Sequence, residues 1–326
     1  MTHAATGISP KRPTASQIDR TMRSPPPMWL FTSATSHHAC LMSNSAIFVA
    51  LLVLFEVGSP TASTKKTPTP PIVIDTNPLE GNTPRILLIN EVKDVWSKLK
   101  VTEYTHRKES VIDLEKGVVK FDCSGFVGEV LLINALPDHY QEIKKHLKKH
   151  RTSIPSAENG RMWMTRPLAG LFYDYFEEQQ PDDWFVFRNA AELKQGDLIV
   201  ARYDDSWRVE RDNTSTGHIM VAWDIEPLQK DSTVQVRVFD SSMGAHTKEL
   251  DTRHQTESPV EAVSNTGIGS GVMQFRLNDD GDVNGYKWSL TSKRWHNLVD
   301  SKEATGNRYY DRLEGILFAR PIQPEK

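Results

Sequence analysis

Cys123 stands in Phe121-Asp122-Cys123-Ser124-Gly125-Phe126-Val127-Gly128-Glu129-Val130-Leu131-Leu132-Ile133. Aspartate is a good N-cap type, and Phe126, Val127, Val130, Leu131 and Ile133 give a broad apolar face. The segment therefore predicts a mostly buried helix whose first turn holds the cysteine. In a first turn, unpaired backbone N–H groups and the positive end of the helix dipole favour thiolate over thiol. Small Ser124 and Gly125 leave room for a substrate. The chemistry on offer is nucleophilic attack on a carbonyl, which needs a base within reach.

His218 is the candidate base. Gln195-Gly196-Asp197-Leu198-Ile199-Val200-Ala201-Arg202 reads as a turn into a strand, and Gly217-His218-Ile219-Met220-Val221-Ala222-Trp223 as a strand headed by the histidine. A second strand, Thr233-Val234-Gln235-Val236-Arg237-Val238-Phe239-Asp240, follows. In an antiparallel pair of even register, residues of equal parity share a face. Pairing Ala222 with Val236 would set His218 opposite Asp240. A carboxylate there holds the imidazole in one tautomer and favours its charged form. Ser241 is the fallback for that third place, and otherwise Asp240 caps the strand end.

Asp122-Cys123-Ser124-Gly125-Phe126-Val127 resembles the nucleophile motif of the NlpC-type cell-wall cysteine peptidases, a papain-like family. The Gly196-Asp197-Leu198 and Gly217-His218-Ile219 segments resemble that family's later strands, so the likeness spans about 121–245. It implies an α+β, papain-like fold with the nucleophile helix packed on an antiparallel β-sheet. It implies a Cys123-His218-Asp240 triad that hydrolyses an amide bond, in peptidoglycan stem peptides, without metal or cofactor. The family often has His, Asn or Gln where Asp240 stands. It also places a tyrosine upstream of its cysteine, which points to Tyr104 and, more weakly, His106; the spacing here is longer. Ser124, Gly217 and Ser241 complete the expected substrate-binding set. A catalytically silent envelope-binding module and a thioester acyltransferase are the alternative readings.

Other features carry less. His146 and His150 have metal-ligand spacing, but they sit among four lysines, which predicts a solvated basic face. Asn278-Asp279-Asp280-Gly281-Asp282 resembles a calcium loop, yet Thr291 stands where a bidentate glutamate is required, so a hairpin turn is expected. Ala169–Phe176 predicts a core helix, and Leu313–Pro321 a closing strand.

These elements must be carried by a chain of 326 residues, 38% hydrophobic and 25% charged, which excludes wholesale disorder. The net charge of −3 argues against a nucleic-acid partner or an anionic membrane surface. Residues 1–63 read as an N-terminal extension with a signal peptide. The ten apolar residues Ala46–Phe55 are too few for a transmembrane helix but suit a secretory core, and small residues follow in Gly58–Ser63. Met28 or Met42 as the start would give a leader of ordinary length. Cleavage near Ser63 would leave Cys123 as the one cysteine of a secreted or periplasmic chain with no membrane span. Residues 64–82 read as a Pro-rich linker, and 83–326 as one peptidase domain. The insert 134–194 is longer than the family's and is expected to shape a groove.

Overall fold

The computed structural model describes residues 72–323 apart from 107–108, 150–165, 211–213, 256–257, 259, 263–264 and 308. The apolar run, the alternative starts, the cleavage region, the first part of the linker and His150 lie outside the described residues. The chain divides into Met1–Thr64 and Lys65–Lys326, and the second unit is the one described.

Its largest element is a β-barrel. Strands β4 (Trp184–Phe187), β5 (Leu198–Tyr203), β6 (Gly217–Ile225), β7 (Thr233–Ser242), β9 (Gly267–Leu277), β10 (Val283–Lys287), β11 (His296–Leu298) and β12 (Asp311–Pro321) run in the order β11-β10-β9-β7-β6-β5-β12-β4. β11 also pairs with β12, which closes seven of them on themselves and leaves β4 as an added strand. The expected papain-like α+β fold, a helix on a sheet, is thereby corrected: the architecture is a closed seven-stranded barrel, mostly β. The reason is non-local. β12 pairs along one edge with β5 and along the other with β4 and β11, and local periodicity does not register such pairings.

Both faces of the central strands are buried, which is why Leu198–Ala201 reads as an unbroken apolar run. Met220 and Ala222 of β6, Val234, Val236 and Val238 of β7, Met273 and Phe275 of β9, and Ile316 and Phe318 of β12 form the interior cluster. Ile219, Val221, Phe239, Leu317 and Ala319 alternate with them and pack outward against helices. Those helices are α1 (Pro84–Lys98), α4 (Pro137–Lys149), α5 (Ala169–Gln179) and a continuous helical segment. That segment joins α2 (Cys123–Gly125), a π-helical stretch (Phe126–Leu132) and α3 (Ile133–Ala135). The π geometry, with Ile133 N–H donating to Gly128 O, is not visible in the apolar spacing. A Cβ on Gly128 would lie 2.7 Å from Tyr140 Oη, so glycine permits that close approach. A short helix, α6 (Asp205–Glu210), follows β5. A small second sheet is ordered β2 (Val111–Asp113), β3 (Val118–Lys120), β1 (Val101–Glu103), β8 (Glu261–Ala262).

α5 is the expected core helix, and Asn278–Asp282 is the expected hairpin turn, Asn278 Oδ1 accepting from the N–H groups of Asp280 and Asp282. His146 corrects the solvated face: it is buried, its ring 5.6 Å from that of Tyr175. Residues 72–82, the described part of the linker, lie against their neighbours. Ile72 N–H donates to Gln255 Oε1, Leu79 N–H to Asn90 Oδ1, and Lys93 Nζ to Asp75 and to Asn77 O. Among the described residues no helix is long and apolar enough to cross a membrane.

The barrel seam depends on buried Asn297. Its Nδ2 donates to Asp311 Oδ1 at 2.8 Å and its Oδ1 accepts from Arg276 Nη2 at 3.0 Å. Asn297→Ala leaves both partners short of a bond, and the expected cost is about 1–3 kcal/mol. A lowered urea midpoint, with faster hydrogen exchange in β11 and the start of β12, checks it; an unchanged midpoint contradicts this account of the seam.

Candidate active site

Cys123 opens the helical segment at the point where the chain leaves the small sheet. Asp122 caps it, Oδ1 accepting from Gly125 N–H at 2.8 Å and from Ser124 Oγ at 3.0 Å. Arg166 locks the cap from behind, donating from Nη2 to Asp122 Oδ2 and from Nη1 to Ser124 Oγ at 2.7 Å. Burial raises the Asp122 carboxyl's pKa, but His106, Arg166 and the Gly125 N–H outweigh it and hold the group well below the usual carboxylate range. Ser241 Oγ donates to Phe121 O at 2.6 Å and so pins this turn to β7. Gly125 is required here, since a Cβ would lie 2.1 Å from Phe121 Cδ1.

His218 is set by Gly217, whose φ of +151° and closeness to Ala201 O (2.0 Å from a built Cβ) both demand glycine. The pairing of β6 with β7 differs from expectation. Val221 pairs with Phe239 and Ala222 with Val238, two residues from the anticipated partner Val236. Parity survives the shift, so His218 and Asp240 share a face as diagonal neighbours, and Nε2 of His218 lies 2.7 Å from Asp240 Oδ2. That leaves Nδ1 as the ring nitrogen available to the sulfur. The Trp288 ring meets the imidazole edge-on at 5.1 Å.

Asp240 is completely buried and is shared by three donors. His246 Nε2 lies 3.3 Å from Oδ1, while its Nδ1 faces Trp288 O at 2.7 Å. Arg253 Nη2 donates to Oδ1 at 2.5 Å and to Asp240 O at 2.8 Å. The rest of that guanidinium is spent too, Nε on Gly267 O at 2.9 Å and Nη1 on Asp251 Oδ2 at 2.9 Å. Burial works against the Asp240 charge, but Arg253, His246 and the His218 hydrogen bond outweigh it and hold the carboxyl well below its ordinary pKa. Burial likewise opposes charge on His218. There the Cys123 sulfur, acting through charge and as a hydrogen-bond partner, and Asp240 together lift the ring to about 10.

A cleft of about 500 Å³ opens on Cys123, lined by Tyr104, His106, Glu109, Ser124, Leu168, Thr216, Gly217 and Met243, among others. Tyr104 and Gly217 are thus both in its wall. Burial and the nearby Cys123 and Asp122 push the Tyr104 phenol's pKa upward. Ser124 borders the cleft, with its hydroxyl bound to Asp122 and Arg166. Ser241 is fully buried in its bond to Phe121 O. The sequence reading did not single out Arg166, His246 or Arg253. Each is distant along the chain from the group it holds or lies across an irregular turn, so no periodicity announces it.

No family model matches the chain, and no solved structure matches it. It is similar to an uncharacterized protein of Acanthamoeba polyphaga mimivirus, 25% identical over 185 residues, covering 53% of this chain and 70% of the viral protein.

His218 binds its proton more tightly in the folded chain than the ordinary 6.5 of a histidine, its folded value being about 10. The stability this contributes is fully present below the unfolded pKa and is lost as pH rises through the folded one. A denaturant midpoint falling across that window, with a smaller fall in His218→Gln, is the expected outcome. NMR titration of the His218 ring should also give a lower pKa in Cys123→Ala, because one of its two charge partners is gone. An unshifted pKa there contradicts the contact between sulfur and ring.

Proposed function

We propose that the chain is an exported cysteine peptidase or amidase in which Cys123 is the nucleophile, His218 the general acid–base and Asp240 its orienter. The observation that carries this reading is one imidazole held at Nε2 by a buried carboxylate and perturbed by the sulfur of a cysteine that borders an open cleft. In the first half-reaction the Cys123 sulfur attacks the amide carbon, and its proton resides on His218. The carbonyl oxygen becomes an oxyanion beside the first N–H groups of the helical segment, which have no intrahelical acceptor. His218 then gives its proton to the departing amine, leaving a thioester. In the second half-reaction His218 takes a proton from water, hydroxide adds to the thioester, and the acid departs as the sulfur recovers the proton. The resemblance of Asp122–Val127 to the NlpC-type motif supplies the substrate class, peptidoglycan stem peptides, and the N-terminal apolar run supplies the exported location.

Purified peptidoglycan incubated with wild type should release peptide fragments that Cys123→Ala does not, as read by mass spectrometry. His218→Ala should lower the rate by about 10²–10⁴-fold. Identical fragment profiles remove that substrate. An ordinary iodoacetamide labelling rate at Cys123, unchanged in His218→Ala, removes the nucleophile assignment itself.

Arg253 and His246 are positioning residues in this scheme. His246→Gln keeps a donor but loses the ring that lies 4.2 Å from Trp288. The expected result is a kcat reduced by about tenfold or more, KM little changed, and a shifted pH profile of Cys123 alkylation. A purely structural role would lower the melting temperature and leave that profile in place.

A further inference from the structure

A second cleft, of about 420 Å³, lies beside the barrel seam and shares no lining residue with the one at Cys123. Its size suits a small ligand or one unit of a polymer. Arg276 of β9 contributes to its wall, with Lys293, Arg294 and Trp295 from the loop between β10 and β11, and Tyr310 from the approach to β12.

The cations here are concentrated. Arg276 Cζ lies 4.9 Å and Lys287 Nζ 4.8 Å from the centre of the same Trp295 ring. Arg294 Cζ lies 4.9 Å from the Tyr310 ring. Among the described lining residues the one carboxylate is Glu303, 3.9 Å from Arg276.

Two features separate this cluster from a merely solvated basic face. Arg276 is partly buried and immobilised, with Nε on Asn284 Oδ1 at 2.9 Å and Nη2 on Asn297 Oδ1 at 3.0 Å. Burial pushes its pKa below the ordinary arginine value and Glu303 does not restore it, so the guanidinium lacks full compensation. The loop bearing the other cations is also fixed. Ser289 Oγ bonds to the hydroxyls of Thr291 and Ser292 at 3.1 and 3.0 Å, and Leu290 N–H donates to Thr247 Oγ1 at 2.8 Å.

We propose that this cleft binds an oxyanion, the phosphate or carboxylate group of a small ligand or of a polymer unit, with Arg276 as the fixed contact and Lys293 and Arg294 as supporting charges. Trp295 serves as the apolar support on which Arg276 and Lys287 rest. The site is independent of the chemistry at Cys123.

The test titrates the full chain at low ionic strength with inorganic pyrophosphate and, separately, with glucuronate, following the indole N–H resonance of Trp295. The expected result is a saturable shift with at least one of them. Pyrophosphate alone identifies a phosphorylated ligand, and glucuronate alone an acidic sugar. The exposed double variant Lys293→Gln/Arg294→Gln should weaken binding about tenfold or more, and raised salt should weaken it in the wild type. Alkylation of Cys123 should proceed at the same rate in both proteins. Failure of both probes to saturate below about 20 mM, or equal binding by the double variant, overturns the proposal.

Discussion

A single carboxylate, that of Asp240, organises the centre of this molecule. It has no exposed surface, and burying an unpaired carboxylate costs several kcal/mol, so its partners are obligatory. Arg253, His246 and His218 supply them. Asp240 and Asp251 both bond to Arg253, and Asp240 also to His218. Removing one member of such a buried set strands the others, at a typical cost of about 3–5 kcal/mol. A cluster of this kind is a poor source of net stability, since apolar residues of equal volume serve as well. What it does supply is a fixed imidazole, with one nitrogen committed to the carboxylate and the other left for the sulfur.

The barrel makes that arrangement possible. β6 and β7 are buried on both faces, so one set of side chains fills the interior and the other seats the helices. Phe239 belongs to the outer set and packs against Trp96 and Trp223 at ring distances of 5.3 and 4.8 Å. Asp240, the next residue, has the parity of the interior set and meets Arg253. The helical segment that begins at Cys123 rests on the outer face through Phe126, Val127, Val130 and Leu131. Ser241 then stitches its entry turn to the same strand. Cys123 and His218 thus come from different layers and are held by neighbouring residues of one strand, Ser241 and Asp240.

The local parts of this design were legible in the sequence, and the global closure was not. The cap at Asp122, the strand headed by His218 and the shared parity of His218 and Asp240 all follow from rules that act over a few residues. The register differed by two, an even offset that keeps the faces; the bulge between Ala222 and Asp224 adds a one-residue shift only beyond that stretch. Closure of the barrel, by contrast, needs β12 to pair with β5 and β11, whose nearest partner residues are well separated in sequence. Arg253 and Arg166 are hidden for the same reason. A lone arginine carries no local sign of the carboxylate it will meet.

The motif around Cys123 and the fold that carries it are therefore separate pieces of information. An aspartate cap, a cysteine in the first turn and small residues beside it are what an accessible thiol at a helix start requires on any scaffold. Gly125 illustrates the point. It is needed because Phe121 folds back to within 2.1 Å of a built Cβ, a constraint internal to the turn and indifferent to what lies beneath. Likeness over six residues thus did not carry the architecture with it, as expected when sites are placed on unrelated folds. The barrel adds what the motif lacks, a rigid and fully buried acceptor for the far side of the imidazole.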